Sequence, residues 1–326
     1  MPGRRFSDQF IDEVRARTSL VGLIGRHVPL KRAGREQAGC CPFHNERTGS
    51  FTVNEGKGFA HCFGCGWHGD AIDFARAHLG LDFLEAVELL AEEAGMIAVR
   101  DGERPQPRPV VERPSRADLD AEKARTVAWA RDLWRRGRPA GGTLVEAYLR
   151  SRGITMAAPP SLRYAPSLKH SDTGLMLPAM LGAVQAGDGS IKGIHRTFLK
   201  ADGSGKAGVA SAKKMGGVCW GGAVRFARPA PVLRLAEGIE TALSVLQAIP
   251  GAAVWAALSL GNMGSVELPE LVEEVRLFAD SDEKDPVKAQ EALERAAERH
   301  ARAGRRVLIV PAPDGMDFND VLRGAA

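Results

Sequence analysis

Four residues whose side chains bind metals occur as two closely spaced pairs near the amino terminus. Cys41 and His44 form a C-x2-H pair, and Cys62 and Cys65 form a C-x2-C pair after a gap of seventeen residues. Two ligands on each of two tight turns can complete a tetrahedron around zinc, and three thiolates with one imidazole leave no position open. The spacing therefore predicts one structural zinc site. Cys40 could replace Cys41, but it is one residue out of register with His44, so we expect a bystander.

A second group of chemically active residues consists of carboxylates that follow short apolar segments. Glu237 follows the segment 232–236, and Asp280 and Asp282 follow the segment 275–279. If both segments are strands of a parallel sheet, their carboxyl ends meet at one edge of it. Oxygen ligands without thiol or imidazole suit Mg²⁺ or Mn²⁺. The sequence thus predicts a catalytic metal site at this edge.

Further acidic residues follow a fourth apolar segment, 306–310. Asp317 could add to the same cluster as a magnesium ligand. For Asp314 and Asp320 a helix cap or a solvated turn is the better interpretation, because acidic residues in such loops commonly serve as caps.

A glycine-rich segment, Gly203-Ser-Gly-Lys206, invites comparison with phosphate-binding loops. It lacks the first glycine at the required spacing, and Ala207 stands where such loops need Ser or Thr. The sequence therefore gives no sign of an ATP-driven motor.

The pattern of apolar residues predicts the elements that position these groups. In the first hundred residues we expect small helices, a ribbon of short strands, and two closing helices, of which the second opens with a capping box at Asp82 and ends at Gly95. The helices are expected to begin at Ser7 and near Leu20, Asp70 and Asp82, and the strands to lie within 38–65.

From Val232 onward the pattern changes to alternating strands and helices, which favours a parallel sheet covered on both faces. Strands are expected at 232–236, 252–258, 275–279 and 306–310, and helices at 239–249 and 268–274, with a long one from Pro286 to just before Gly304.

We therefore expect a zinc ribbon joined to an α/β fold, in four segments. These are an N-terminal zinc-ribbon domain at 1–100, a proline-rich linker at 101–117, a basic, mixed α+β middle region at 118–231, and a C-terminal α/β domain with a parallel sheet at 232–326.

The composition indicates the compartment in which the protein works. Four of the five cysteines lie within 26 residues, which indicates a metal site in a reducing compartment rather than disulfides. No apolar run approaches the roughly 18 residues of a membrane helix, and the amino terminus does not resemble a signal peptide. We expect a cytoplasmic protein that does not contact a membrane.

Charge is distributed unevenly along the chain. Residues 101–232 carry 22 Lys and Arg against 11 Asp and Glu, whereas residues 233–326 carry 10 against 16. A basic block beside an acidic one is typical of a polyanion-binding surface next to a carboxylate metal site. A solvated, arginine-rich face is the alternative, and charge alone does not exclude it.

Several stretches of the sequence closely resemble the bacterial DnaG-type primases and their relatives on phages and mobile elements. Cys41-Pro-Phe-His-Asn-Glu-Arg-Thr-Gly-Ser-Phe-Thr-Val and His61-Cys-Phe-Gly-Cys-Gly resemble the zinc-binding domain of that family, nearly continuously over residues 6–96. Glu237-Gly-Ile-Glu-Thr-Ala and Asp280-x-Asp282 resemble its Toprim domain. Tyr148-Leu-Arg-Ser-Arg-Gly and Arg196-Thr-Phe-Leu-Lys are similar to the intermediate region of mobile-element primases.

The resemblance implies a DNA primase that makes short primers, of ribonucleotides in the favoured interpretation, on single-stranded DNA from nucleoside triphosphates. It implies that Glu237, Asp280 and Asp282 hold the catalytic metals. The cellular enzymes usually carry an acidic residue four positions after the Toprim Glu, where this chain has Thr241, with Glu240 one position earlier. The sequence ends soon after the Toprim-like segment, so we expect a replicative helicase to act in trans, in chromosome or mobile-element replication.

Residues that contact nucleic acid are predicted from charge and aromatic character. Core packing is favoured for Phe63, and Trp67 is left open between core packing and base stacking. The nucleic-acid-binding candidates are Arg196, Lys200, Lys206, Lys213, Lys214 and Trp67.

Two other functions remain open at the level of sequence. A Toprim nuclease would use the same carboxylates to cut DNA, although the zinc ribbon and the basic middle region fit primases better. A non-catalytic single-stranded DNA-binding protein is the second alternative, and retention of all three carboxylates argues against it.

Overall fold

The computed structural model describes residues 6–34, 36–44, 49–96, 116–280, 286–313 and 315–324. Within these ranges the chain forms two compact units, the first from residues before Lys123 and the second mainly from Lys123 onward. None of the helices in this part of the chain has the length and apolar character needed to cross a membrane. Asp282, Asp314 and residues 101–115 of the predicted linker lie outside the described residues, and Arg116 and Ala117 belong to a helix.

The first unit is a small antiparallel sheet accompanied by four helices. Its helices are α1 (Asp8–Arg17), α2 (Leu20–Gly25), α3 (Ala71–Leu79) and α4 (Phe83–Glu93). Its strands are β1 (Lys31–Ala33), β2 (Glu36–Gly39), β3 (Phe51–Asn54), β4 (Phe59–Cys62) and β5 (His68–Gly69). The strands pair in sequence order, each antiparallel to the next, which confirms the predicted ribbon. The ribbon is longer than predicted, since β1 and β5 lie outside the range 38–65.

The helix boundaries of this unit follow from local capping. Ser7 accepts a hydrogen bond from the Phe10 amide at the start of α1. Asp70 and Asp82 each form a capping box, which satisfies amides that the first helical turn leaves without partners. Gly95, just beyond α4, has φ of 72°, a conformation that favours glycine. These boundaries confirm the sequence predictions.

The second unit contains one large sheet with helices on both of its faces. Its strands are β6 (Arg138–Pro139), β7 (Leu162–Lys169), β8 (Met176–Gln185), β9 (Ile191–Phe198), β10 (Lys213–Gly217), β11 (Ala223–Arg225), β12 (Val232–Ala236), β13 (Ala253–Ala256), β14 (Glu274–Ala279) and β15 (Arg306–Pro311). Its helices are α5 (Arg116–Arg136), α6 (Leu144–Ser151), α7 (Ile239–Ala248), α8 (Leu260–Met263), α9 (Pro286–Arg302) and α10 (Phe318–Leu322).

The sheet of the second unit combines a parallel half with an antiparallel half. β13, β12, β14 and β15 run parallel, which confirms the predicted α/β fold of the C-terminal region. β11 pairs with β13 on one side and with β8 on the other, so the parallel strands continue into β8, β9 and β10. The sequence pattern did not predict that the two halves form one sheet. The strand that joins them, β11, has only three residues and no recognisable periodicity.

Alternating side chains on the strands place different cores on the two faces of the sheet. On β8, Met180 and Val184 pack with α6 and α7, whereas Ala179 and Leu181 pack on the other face with α5. In the parallel half, α8 and α9 cover the face opposite α7, where Leu235 is fully buried. Residues on the α7 face are therefore the ones that can reach the predicted carboxylate site.

One predicted helix does not form. Residues 268–273 form a turn that leads into β14, which begins at Glu274, and Val272 N donates to Pro269 O at 3.0 Å. Because Glu274 already pairs with β12 and β15, the segment before it is too short for a stable helix. The short helix of this connection lies earlier, at α8.

Candidate functional sites

The four predicted metal-ligating side chains lie together. The Sγ atoms of Cys41, Cys62 and Cys65 and a ring nitrogen of His44 all lie within 4.8 Å of one another. Three thiols and an imidazole at this separation suit a tetrahedral zinc ion. Among the residues that the structure describes, this is the one group of three or more Cys, His, Asp or Glu side chains close enough to hold a metal. Cys40 is exposed and lies outside it.

The ribbon holds the second pair of ligands in a tight knuckle. Cys62 is the last residue of β4, and its amide donates to Trp67 O at 2.7 Å, which closes the turn. Gly66 within this turn has φ of 75°, so a side chain there would be strained. Ser50 Oγ lies 3.3 Å from Cys62 Sγ, a polar contact that orients the thiol.

Of the two aromatic residues beside the knuckle, Trp67 is buried and Phe63 is exposed. Trp67 is 1% exposed and packs against Phe51 and Phe74, with ring centroids 5.6 and 6.1 Å away. It therefore cannot stack on a base without unfolding the ribbon, which corrects its assignment as a nucleic-acid contact. Phe63, expected in the core, is 48% exposed. Both residues lie between β4 and β5, outside the strands, so no strand periodicity predicts which of the two rings is buried.

The predicted catalytic carboxylates follow neighbouring strands of the second unit. Glu237 follows β12 and Asp280 follows β14, and these strands are parallel with Ala236 opposite Phe278. Both residues therefore leave the same edge of the sheet, as expected from the sequence. Asp282, the third predicted member, lies outside the described residues.

Thr241 orients the carboxylate of Asp280. Its Oγ1 lies 3.0 Å from Asp280 Oδ2 and 3.3 Å from Oδ1, and the hydroxyl donates to the carboxylate. Thr241 lies in the first turn of α7, which begins immediately after Glu237 and Gly238. The amino-terminal end of a helix carries partial positive charge, so it favours carboxylates at this edge. Thr241 was noticed in the sequence only as a departure from a family pattern.

Asp317 lies at the start of the last helix of the second unit. It caps α10, where its Oδ1 accepts from Asp320 N at 2.7 Å, and its Oδ2 lies 3.5 Å from Arg152 Nη2. It does not form a metal-binding group with Glu237 and Asp280 among the described side chains. The carboxylate is thus engaged as a cap and an ion pair, and its role as a magnesium ligand stays a prediction. Asp320 completes the capping box, as its sequence context suggested.

Two of the residues predicted to bind phosphates have partners within the fold instead. Lys214 is 4% exposed and its Nζ lies 2.7 Å from Asp172 Oδ2. Arg196, directly opposite it on β9, donates to Met215 O and lies 5.2 Å above the Trp129 ring. Both face α5, on the side of the sheet away from α7. This corrects their assignment as template contacts, whereas Lys200 is exposed and stays a prediction.

Lys206 and Lys213 lie on the face of the sheet that α7 covers. A buried acid, Glu240, lies on the same face, and the sequence did not predict its burial. The segment 203–206 is a turn between β9 and β10, and Lys206 Nζ lies 3.1 Å from Glu240 Oε1. The Tyr148 hydroxyl from α6 donates to the same oxygen. Glu240 is 5% exposed. Because Glu240 is a charged residue next to apolar residues of a helix, the sequence pattern did not indicate that its side chain is buried.

The charges of this group depend on one another. Burial acts to raise the pKa of Glu240, but the ammonium groups of Lys206 and Lys213 and the Tyr148 hydroxyl hold it well below its usual range. Glu240, followed by Glu237 and Asp280, raises the pKa of Lys213 against the effect of burial. Lys213 is therefore a cationic neighbour of the carboxylate edge. Glu240 acts to raise the pKa of Lys206, but burial and the neighbouring Lys213 lower it.

Comparison with known sequences divides the chain into three matched regions. Residues 6–105 match the CHC2 zinc finger, residues 124–226 match a domain of unknown function, and residues 232–326 match the Toprim domain. No one of these matches covers half of the chain.

Several curated proteins and solved structures are similar to parts of the chain. A DNA primase of Neisseria meningitidis is 52% identical over 88 residues, which are 27% of this chain and 15% of that protein. A DNA primase of Myxococcus xanthus is 43% identical over 145 residues, 44% of this chain and 22% of that protein. The crystal structure of the Aquifex aeolicus primase zinc-binding and RNA polymerase domains aligns over 97% of this chain and 82% of that one, at 20% identity and a TM-score of 0.40.

The curated relatives are longer than the aligned region, and this chain spans less than a quarter of their length. The matched parts of the sequence are nevertheless the ones that carry the cysteine–histidine group and the two strand-end carboxylates. The chain is thus similar to DNA primases in its zinc finger and carries a match to the Toprim domain, with a domain of unknown function between the two.

Proposed function

We propose that the protein is a DNA primase, which synthesises short primers of ribonucleotides on single-stranded DNA by nucleotidyl transfer. The observation that carries the proposal is the shared edge of β12 and β14, from which Glu237 and Asp280 emerge beside a helix amino terminus. The zinc finger on the same chain favours template-directed synthesis over simple cleavage, because it adds a nucleic-acid-binding element that hydrolysis does not need.

The carboxylate edge suits Mg²⁺ or Mn²⁺. Glu237 and Asp280 offer hard oxygen ligands, and the Thr241 hydroxyl holds the Asp280 carboxylate in one orientation. With Asp282 they would hold the cation, which when bound supplies charge neutralisation at a phosphate and activation of a hydroxyl. The protein's own contribution is to fix the carboxylates and to set positive charge beside them through Lys213.

The zinc finger has a structural role in this proposal. Cys41, His44, Cys62 and Cys65 would hold one zinc ion, and the fold of the knuckle would depend on it. Template would run over the basic middle region at 118–231 towards the Toprim domain at 232–326, with exposed Lys200 among its phosphate contacts. A replicative helicase would act in trans.

A direct assay tests the proposal. The full chain is incubated with single-stranded DNA, Mg²⁺ or Mn²⁺ and labelled nucleoside triphosphates, and short labelled products are resolved on a gel. We expect products that require template and disappear in Glu237→Gln and Asp280→Asn, while both variants retain zinc and DNA binding. Degradation of labelled DNA that depends on Glu237 and Asp280, without extension of nucleotides on any template, would identify a nuclease instead.

A further inference from the structure

The first turn of α7 presents two adjacent side chains to two different neighbours. Thr241 reaches Asp280, whereas Glu240 turns towards Lys206 and the hydroxyl of Tyr148. Successive helical residues point about 100° apart, so the two cannot serve the same group. Glu240 lies three residues after Glu237, and its surroundings are thus fixed within one helical turn of the carboxylate edge.

Glu240 is poorly suited to bind a metal itself. It is 5% exposed, and its Oε1 already accepts from the Tyr148 hydroxyl and lies 3.1 Å from Lys206 Nζ. A carboxylate that is enclosed and neutralised by ammonium groups competes weakly for a cation. Its position therefore points to a role exercised through the lysines.

The two lysines reach this place from different elements. Lys206 comes from the turn between β9 and β10, and Lys213 is the first residue of β10, opposite Thr197 on the α7 face. Two ammonium groups beside each other repel, and the buried carboxylate of Glu240 is the counter-charge that keeps both there. One carboxylate balances one ammonium, so a net positive charge is left beside Glu237 and Asp280.

We propose that Glu240 is a positioning residue, which fixes the ammonium groups of Lys206 and Lys213 beside Glu237 and Asp280 as a site for the phosphate groups of a nucleoside triphosphate. The inference rests on the proposed function for its substrate class. Ammonium groups are point-like donors suited to phosphate oxygens, and Tyr148 locks the orientation of Glu240 from a third element, α6.

The test uses inorganic pyrophosphate as the probe, so that it does not depend on primer synthesis. Pyrophosphate is titrated into the full chain in Mg²⁺ by calorimetry, and Mn²⁺ binding is measured separately by spin resonance. We expect Glu240→Gln and Lys206→Met to weaken pyrophosphate binding at least tenfold and to leave Mn²⁺ affinity within twofold of wild type.

The matched control is Asp172→Asn, which removes the counter-charge of a buried lysine, Lys214, on the opposite face of the sheet. It should leave pyrophosphate binding unchanged. Tyr148→Phe keeps the charge of Glu240 and removes one donor, so its loss should be smaller than that of Glu240→Gln. If Glu240→Gln does not fold, Lys206→Met and the double variant Glu240→Gln with Lys206→Met, which removes both charges, carry the test.

The possible results separate this inference from the proposed function. Unchanged pyrophosphate binding in Lys206→Met, or no measurable binding by the wild-type chain, would overturn it. Loss of Mn²⁺ affinity in Glu240→Gln with pyrophosphate binding intact would make Glu240 part of the metal site. A wild-type chain that binds pyrophosphate through Lys206 yet makes no primers would leave the inference standing and refute the primase.

Discussion

Thr241 Oγ1 lies 3.0 Å from Asp280 Oδ2, so a helix that starts after one strand holds the carboxylate that follows the neighbouring strand. The contact joins β12, α7 and β14 at the edge where Glu237 also lies. It makes the orientation of Asp280 a property of the fold of the Toprim domain rather than of a single loop.

Removing this contact should impair chemistry without unfolding the protein. Thr241→Val keeps the shape of the side chain and removes the hydroxyl, and a hydrogen bond to a charged group is worth about 1.5–3 kcal/mol. We expect primer synthesis to fall by about tenfold or more, with a higher Mg²⁺ concentration needed for half-maximal rate. Thr241→Ser retains the donor and should stay near wild type; equal losses in both variants would mean that packing, not the hydroxyl, matters.

Asp317→Asn and Asp282→Asn should have different effects on stability and on primer synthesis. Asp317 caps α10, so Asp317→Asn should lower the free energy of unfolding by about 1 kcal/mol or less, since Asn also caps helices. Its Mg²⁺ requirement in primer synthesis should not change. Asp282→Asn should reduce primer synthesis by orders of magnitude at unchanged stability. A raised Mg²⁺ requirement in Asp317→Asn would show that Asp317 belongs to the metal site.

The cysteines provide a matched pair for the zinc prediction. Cys62 belongs to the group of four ligands, whereas exposed Cys40 lies outside it. Purified wild-type protein and Cys40→Ser should contain about one zinc ion per chain, because four ligands make one closed site. Cys62→Ser should lose zinc and the protection of residues 49–69 from hydrogen exchange. Full zinc content in Cys62→Ser would refute the assignment.

Much of this architecture could be predicted because its signals are local. The capping boxes at Asp70 and Asp82 and the spacing of the four zinc ligands lie within short windows of sequence. The strand-end carboxylates Glu237 and Asp280 were also predictable, since apolar strands alternate with helices in the parallel half. Such patterns fix which elements form and which residues follow them.

What the sequence did not predict depends on contacts between distant segments. Glu240 meets Tyr148 from 92 positions earlier, and Lys214 meets Asp172 from 42 positions earlier. Adjacent lysines on β10 look equivalent in the sequence, yet strand alternation sends Lys213 towards α7 and Lys214 towards α5. Charge counts therefore identified the basic region but not which of its residues are available to DNA.

Truncation of Phe63 should affect DNA binding, whereas truncation of Trp67 should affect stability. Phe63 is exposed beside the zinc knuckle, so Phe63→Ala should weaken binding to single-stranded DNA while the melting temperature stays unchanged. Loss of one stacked base would cost about 1–3 kcal/mol of binding free energy. Trp67→Ala removes a buried ring and should cost about 3–5 kcal/mol of stability. Fluorescence anisotropy with a labelled oligonucleotide measures the first effect, and identical affinity in Phe63→Ala would exclude stacking.

The last prediction concerns acid sensitivity and His195, which is 4% exposed on the α7 face of β9. Burial, with Lys213 as the next cause, lowers the pKa of His195 to about 3, from an ordinary value of 6.5. Below about pH 6.5 the unfolded chain therefore takes up a proton at this residue and the folded chain does not. The unfolded state binds more protons, so stability must fall as the pH decreases from about 6.5 towards 3.

His195→Gln should remove this part of the pH dependence. Between pH 7.5 and 5.0 the free energy of unfolding of the wild-type protein should decrease by about 2 kcal/mol more than that of the variant, at about 1.4 kcal/mol per pH unit below 6.5. Urea titrations at the two pH values measure the difference, and the other titrating groups contribute equally to both proteins. Equal decreases would mean that His195 is protonated in the folded state, with Glu240 as the nearby carboxylate that stabilises the charge.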